Sequence, residues 1–138
     1  MFKIAVLISG NGSNLEALID ACKNNFINGS IDLVLSNNPN AFGIERAKNH
    51  FINYKVINHK SFETRDDFDR ALLNELKETS PDLIVLAGFM RILTPLILNV
   101  YKNKVINIHP SLLPKYPGLD THNSVLKNGD LKHGVTIH

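Results

Sequence analysis

Asn107 and His109 are the residues best suited by type and spacing to do chemistry. They stand in Lys104-Val105-Ile106-Asn107-Ile108-His109-Pro110, an apolar run broken by two polar residues. Side chains alternate across a strand, so residues two apart share a face. Two polar groups side by side on an apolar strand are out of place in a core. Pro110 biases His109 toward extended geometry and stops the strand there. The pair then sits at the rim of a sheet. Asn supplies an amide donor, and His an acid/base that titrates near neutral pH. Together they suit stabilising an oxyanion and moving a proton, the needs of acyl transfer. A capping Asn beside a surface His is the plainer alternative.

Two other stretches carry residues of interest. Ser9-Gly10-Asn11-Gly12-Ser13-Asn14-Leu15-Glu16 follows an apolar run and opens a stripe of helical period. Ser13 and Glu16 match the S-x-x-E capping box of a helix start. Two glycines allow a tight turn that brings backbone N–H groups toward a ligand. The helix N-terminus offers free N–H groups and positive dipole to a phosphate. A plain capped turn would use the same residues. A dinucleotide fits poorly. Leu15 stands at the third glycine position, and Leu35-Ser36-Asn37-Asn38 lacks an acidic ribose reader. A mononucleotide-type phosphate fits better.

The second stretch is Ala87-Gly88-Phe89-Met90-Arg91-Ile92-Leu93. Its apolar residues suit a flat pocket for a ring system, or ordinary helix–sheet packing. Arg91 can hold an anion or sit in solvent. The remaining histidines are His50, His59, His122, His133 and His138. None forms H-E-x-x-H or pairs with the single cysteine at zinc spacing, so no metal is expected. Neither a G-x-S-x-G elbow nor a Walker A loop occurs, which leaves serine hydrolase and P-loop chemistry without support.

Such residues need a scaffold that brings them to one edge. Lys3 to Ser9, Ile31 to Asn37, Asn53 to Asn58, Leu83 to Ala87, Lys104 to His109 and His133 to His138 read as strands. The first and the fourth are nearly continuous in Ile, Val, Leu and Ala, as in strands covered on both faces of a parallel sheet. Leu15, Leu18, Ile19 and Cys22 form one helical stripe, which makes Cys22 a packing residue. Phe42 to Asn49 reads as a short helix. Phe68, Leu72 and Leu76 share a face of another, which Thr64 and Asp67 can cap. Thr94-Pro95 opens a further helix, with Pro in the first turn. A last helix is expected from Thr121 to Lys127, ending at Asn128-Gly129. Pro110 to Gly118 is the long irregular segment. The alternation predicts an open, mostly parallel α/β sheet flanked by helices. Ligands of such sheets bind beyond the carboxyl ends of the strands, where all three stretches fall.

Composition agrees. The chain has 138 residues, 43% apolar and 20% charged, which suits one globular domain. Fifteen Lys+Arg against thirteen Asp+Glu give a formal charge of +2, too mild to predict a nucleic-acid partner. One cysteine excludes an internal disulfide framework. No apolar run reaches signal-peptide or membrane-spanning length, so a cytoplasmic protein is expected.

Taken together, Leu7-Ile8-Ser9-Gly10-Asn11-Gly12-Ser13-Asn14, Leu86-Ala87-Gly88-Phe89-Met90-Arg91-Ile92-Leu93 and Asn107-Ile108-His109-Pro110-Ser111-Leu112-Leu113-Pro114-Lys115-Tyr116-Pro117-Gly118 resemble glycinamide ribonucleotide formyltransferases of purine biosynthesis. The resemblance runs over the whole chain in the same order. The Lys-Tyr-Pro-Gly continuation favours that family over the related methionyl-tRNA formyltransferases. It implies a Rossmann-like fold forming a single domain over 1–138. Within it lie a phosphate-binding loop at 9–14, a folate-pocket loop at 87–93, and a catalytic strand and loop at 104–118. It implies transfer of a formyl group from 10-formyltetrahydrofolate, a co-substrate, to the amine of glycinamide ribonucleotide. By matching positions, Gly12, Ser13 and Asn14 would contact the ribonucleotide phosphate. Arg65, Met90, Arg91, Ile92, Leu93 and Asn107 would bind the folate. Asn107 and His109 would be catalytic.

The resemblance also implies a catalytic Asp on a loop beyond the strand that reaches His138, favouring the imidazolium of the histidine. Asp120 and Asp130 precede that strand and do not match the position. The expectation is a shortened chain, its C-terminal part missing, that keeps phosphate binding better than turnover. A module that binds a phosphorylated ligand without turnover is the competing reading. Self-association through the C-terminal strand edge is also expected, since an unpaired edge is a template for another chain.

Overall fold

A computed structural model describes residues 2–109 and 136–137. In chain order the elements are β1 (Phe2–Ile8), α1 (Ser13–Lys23), β2 (Gly29–Ser36), α2 (Gly43–Asn49), β3 (Tyr54–Val56), a 3-10 turn (His59–Ser61), α3 (Arg65–Thr79), β4 (Leu83–Ala87), α4 (Pro95–Val100), β5 (Val105–His109) and β6 (Thr136–Ile137). The strands form one sheet in the order β3-β2-β1-β4-β5-β6. All neighbouring pairs are parallel except β5 with β6.

The period-2 alternation of β1 divides the core. Ile4, Val6 and Ile8 face α1 and α2, joining Leu15, Ile19, Ile44, Ala47, Val34 and Val85. Ala5 and Leu7 face α3 and α4, joining Leu33, Leu35, Phe68, Leu72, Leu76, Ile84 and Ile97. Both faces of the sheet are therefore dry, which explains the unbroken apolar runs of β1 and β4. One irregularity keeps β2 in step. Ile4 pairs with Ile31 but Ala5 pairs with Leu33, so Asp32 is an extra residue. Without that bulge Ile31 and Leu33 would share a face; with it they enter opposite cores.

Local chemistry sets the helix ends. Thr64 Oγ1 accepts the Asp67 N–H at 3.1 Å and starts α3, as the sequence predicts. Ser80, left-handed at φ 51°, closes that helix just before Pro81. Thr94 Oγ1 accepts the Leu96 N–H at 3.3 Å, and Pro95 occupies the first turn of α4. Cys22 packs against the α1/α2 core, and burial raises its thiol pKa above the ordinary value.

Strand bounds shift from expectation by one or two residues at β1, β2, β3 and β5. β3 is shorter than 53–58, because it is an edge strand whose three residues are all exposed. Of the strand expected at 133–138, the described residues are Thr136–Ile137, and the others lie outside the described residues. The expected helix at Thr121 to Lys127 and the loop from Pro110 to Gly118 lie outside the described residues.

Candidate functional site

β1 lies beside β2 on one flank and β4 on the other. The chain leaves β1 toward β2 and leaves β4 toward β5, so the two connections part in opposite directions. A crevice at such a switch point is where open α/β sheets take their ligands. Loops 9–12 and 88–94 both begin there.

Loop 9–12 is built around Gly12. Its φ is +79°, and a Cβ there would lie 2.7 Å from Gly43 Cα. Only glycine meets both conditions. Helix α2 then clamps the loop: the Gly43 N–H donates to the Gly10 carbonyl at 3.0 Å. Arg46 donates from Nε to the Asn11 carbonyl at 2.9 Å and from a terminal nitrogen to Asn11 Oδ1 at 2.7 Å. The capping box expected of Ser13 and Glu16 does not form. Gly12 itself is the N-cap, Ser13 is already helical, and no side chain caps the turn. The start of α1 thus keeps N–H groups uncommitted to a side-chain cap. Ser13 is exposed and Asn14 half-buried beside it.

Glu16 turns instead to α2. Arg46 donates to Glu16 Oε1 at 3.3 Å, and His50 Nε2 lies 2.6 Å from Oε2. Lys23 Nζ stands 2.6 Å from His50 Nδ1. Burial pushes the Glu16 carboxyl pKa up, but the hydrogen bonds from His50 and Arg46 and the nearby positive charge outweigh it. The carboxyl is left below its ordinary 4.5. Glu16, Asp20 and His50 also bring ligand atoms within 4.8 Å of one another. Two of the three are already committed to this ion-pair chain.

Loop 88–94 is anchored at two points. The Met90 N–H donates to Ser9 Oγ at 2.8 Å. Ser9 in turn donates to Asn37 Oδ1 at 2.5 Å. At the far end, Asp69 Oδ2 accepts the Thr94 N–H at 2.6 Å and the Thr94 hydroxyl at 2.7 Å. Between the anchors, Met90 is 54% and Ile92 74% exposed, apolar surface offered to solvent beside the crevice. Leu93 instead joins the α3/α4 core at 6% exposure. The Arg91 guanidinium lies over the Phe68 ring at 5.0 Å, while Arg65, exposed, opens α3. β5 runs beside β4, with Asn107 paired in register with Leu86. Asn107 is half-buried, and His109 ends the strand with its backbone paired to Thr136.

Sequence reasoning places Ser9 in the phosphate loop without a role of its own and gives none to the Asn37, Arg46 and Asp69 side chains. Three of these are buried polar residues, at 7%, 3% and 1% exposure for Ser9, Asn37 and Asp69. The signal was available for Asp69, an acid set beside Phe68 on the stripe that runs on to Leu72 and Leu76.

A doubly covered parallel sheet with ligand loops at its switch point defines a class of small-molecule α/β proteins. The family described as Formyl transferase matches residues 2–138, and the chain belongs to it. Phosphoribosylglycinamide formyltransferase of Escherichia coli K12 is 53% identical over 135 residues, covering 98% of this chain and 64% of that protein. The human trifunctional purine biosynthetic protein adenosine-3 is 43% identical over 136 residues, 99% of this chain and 14% of that protein. Among solved structures, phosphoribosylglycinamide formyltransferase of Coxiella burnetii superposes with a TM-score of 0.88 at 45% identity, covering 99% of this chain and 64% of that one. The chain thus spans under two-thirds of the length of the Escherichia coli and Coxiella burnetii relatives.

Proposed function

We propose that this chain serves formyl transfer from 10-formyltetrahydrofolate to the amine of glycinamide ribonucleotide, a step of purine biosynthesis. The observation that carries the reading is the pairing of loops 9–12 and 88–94 at one switch point through Ser9 and Met90. In this reading residues 1–138 act as a single domain. Gly12, Ser13 and Asn14 hold the ribonucleotide phosphate at the start of α1, where N–H groups and dipole favour an anion. Met90, Arg91, Ile92 and Leu93, with Arg65 and Asn107, hold the folate. Exposed Met90 and Ile92 offer the wall, while buried Leu93 shapes it from beneath.

The chemistry is direct attack. The substrate amine adds to the formyl carbon, and a tetrahedral oxyanion forms. The Asn107 amide and protonated His109 stabilise it. The bond from the formyl carbon to folate N10 then breaks, while a proton passes from the attacking nitrogen to N10. No side-chain nucleophile and no metal enter these steps. The soluble small-molecule substrates suit a cytoplasmic location. The self-association expected at β6 stays part of this reading, and a clean monomer by light scattering at high concentration would remove it.

A formyl-transfer assay with both substrates, paired with calorimetry, tests the proposal. Turnover that His109→Ala reduces about a hundredfold or more supports it, the usual scale for a general acid/base. Turnover indifferent to His109→Ala overturns the catalytic assignment. Ribonucleotide binding without folate binding would leave a phosphate-binding module.

A further inference from the structure

We infer that Ser9, backed by Asn37, is a positioning residue that sets the folate loop against the phosphate loop. The inference rests on the functional reading above and extends it to residues that touch neither ligand in that scheme. Ser9 opens loop 9–12 directly after β1, and it is 7% exposed. Its hydroxyl uses both of its capacities. It accepts the Met90 N–H at 2.8 Å and donates to Asn37 Oδ1 at 2.5 Å. Asn37 is 3% exposed and is itself held by β1 and by the turn after β3. Its backbone N–H donates to the Ile8 carbonyl at 3.4 Å, and its carbonyl lies 3.1 Å from His59 Nδ1. Three segments therefore meet at one hydroxyl: the end of β1, the end of β2 and the middle of loop 88–94.

The contact is placed to matter. Residues 88–93 receive only one other anchor among the hydrogen bonds described, at the Asp69–Thr94 end. Gly88, at φ +72°, gives the loop a turn with open space around it. Beside the packing of Arg91 on Phe68 and of Leu93 in the core, Ser9 thus supplies the hydrogen bond that fixes the Met90 backbone, and with it the exposed apolar surface of Met90. The phosphate loop, by contrast, has supports that do not involve the Ser9 side chain. Gly43 and Arg46 hold Gly10 and Asn11 from α2. Loss of the hydroxyl should therefore loosen one half of the site and leave the other.

Ser9→Ala removes one oxygen, strands the buried Asn37 Oδ1 and frees the Met90 N–H, while Ser9→Thr keeps the hydroxyl. Two readouts test the idea on the whole chain: calorimetry with glycinamide ribonucleotide and a non-reactive 10-formyltetrahydrofolate analogue, and amide hydrogen exchange by NMR. Ser9→Ala is expected to weaken the folate analogue about tenfold, the scale of one buried hydrogen bond, and the ribonucleotide less than about twofold. Ser9→Thr should restore most of the loss. Exchange of the Met90 amide should quicken in Ser9→Ala, while amides of α3 keep their protection. Equal weakening of both ligands, or an unchanged Met90 amide, overturns the positioning role. Failure of the wild-type chain to bind the folate analogue overturns the functional reading instead, and the Met90 amide still decides whether Ser9 anchors the loop.

Discussion

Gly12 carries two constraints at one residue, a left-handed φ of +79° and a backbone approach to Gly43. Gly88 carries the first constraint alone, with open space around it. The pair separates strain from collision. Gly12→Ala should cost about 1–3 kcal/mol for the backbone and more for the contact, while Gly88→Ala stays near the lower figure. Urea denaturation measures both. Ribonucleotide affinity should fall only for Gly12→Ala. Arg46 belongs to the same scale of description. One guanidinium fixes the carbonyl and the side chain of Asn11 and still reaches Glu16, a geometry that the planar fork permits and an ammonium does not.

Among the elements, α3 shows how a local signal and a tertiary one divide the work. Its cap, Thr64, is exposed, so Thr64→Ala should lower stability by about 1 kcal/mol, with little effect on binding. Melting temperature and ligand titration together check this. Elements of this kind were legible in the sequence because their periods are unbroken. The continuous apolar run of β1 reads as a strand covered on both faces, and the stripe through Phe68, Leu72 and Leu76 as one helix face. Three features were not legible, each for a physical reason. Ser13 and Glu16 have the spacing of a capping box, but a positive φ at Gly12 moves the helix start and Arg46 captures the glutamate. The bulge at Asp32 depends on pairing with β1, which no local pattern encodes. Ser9 and Asn37 meet only because β1 and β2 are neighbours, so their pairing is a product of topology. The ends of β1, β4 and β5 could be read as the site because strands of an open sheet present their loops at one edge. The side chains that brace those loops could not.

For the whole molecule, the α1–α2 ion-pair chain predicts a response to acid. Glu16 has a folded-state pKa held below its ordinary 4.5. A depressed carboxylate stabilises the fold fully above its unfolded pKa and loses that contribution as pH falls through the folded one. Stability should therefore drop below about pH 4.5, and Glu16→Gln should flatten this part of the profile. Denaturant midpoints taken from neutral pH downward check the sign. The order of the sheet has a different consequence, in time rather than in energy. β1 occupies the interior, and one of its neighbours comes from far along the chain. The Lys3 N–H bonds Asp82 Oδ2 at 2.8 Å across 79 residues of sequence. Loop closure over such a span delays folding relative to local contacts. During synthesis, one edge of β1 must wait for most of the described chain to emerge. The earliest of the described strands thus waits for β4 before its second edge is paired, and until then that edge presents unpaired N–H and C=O groups.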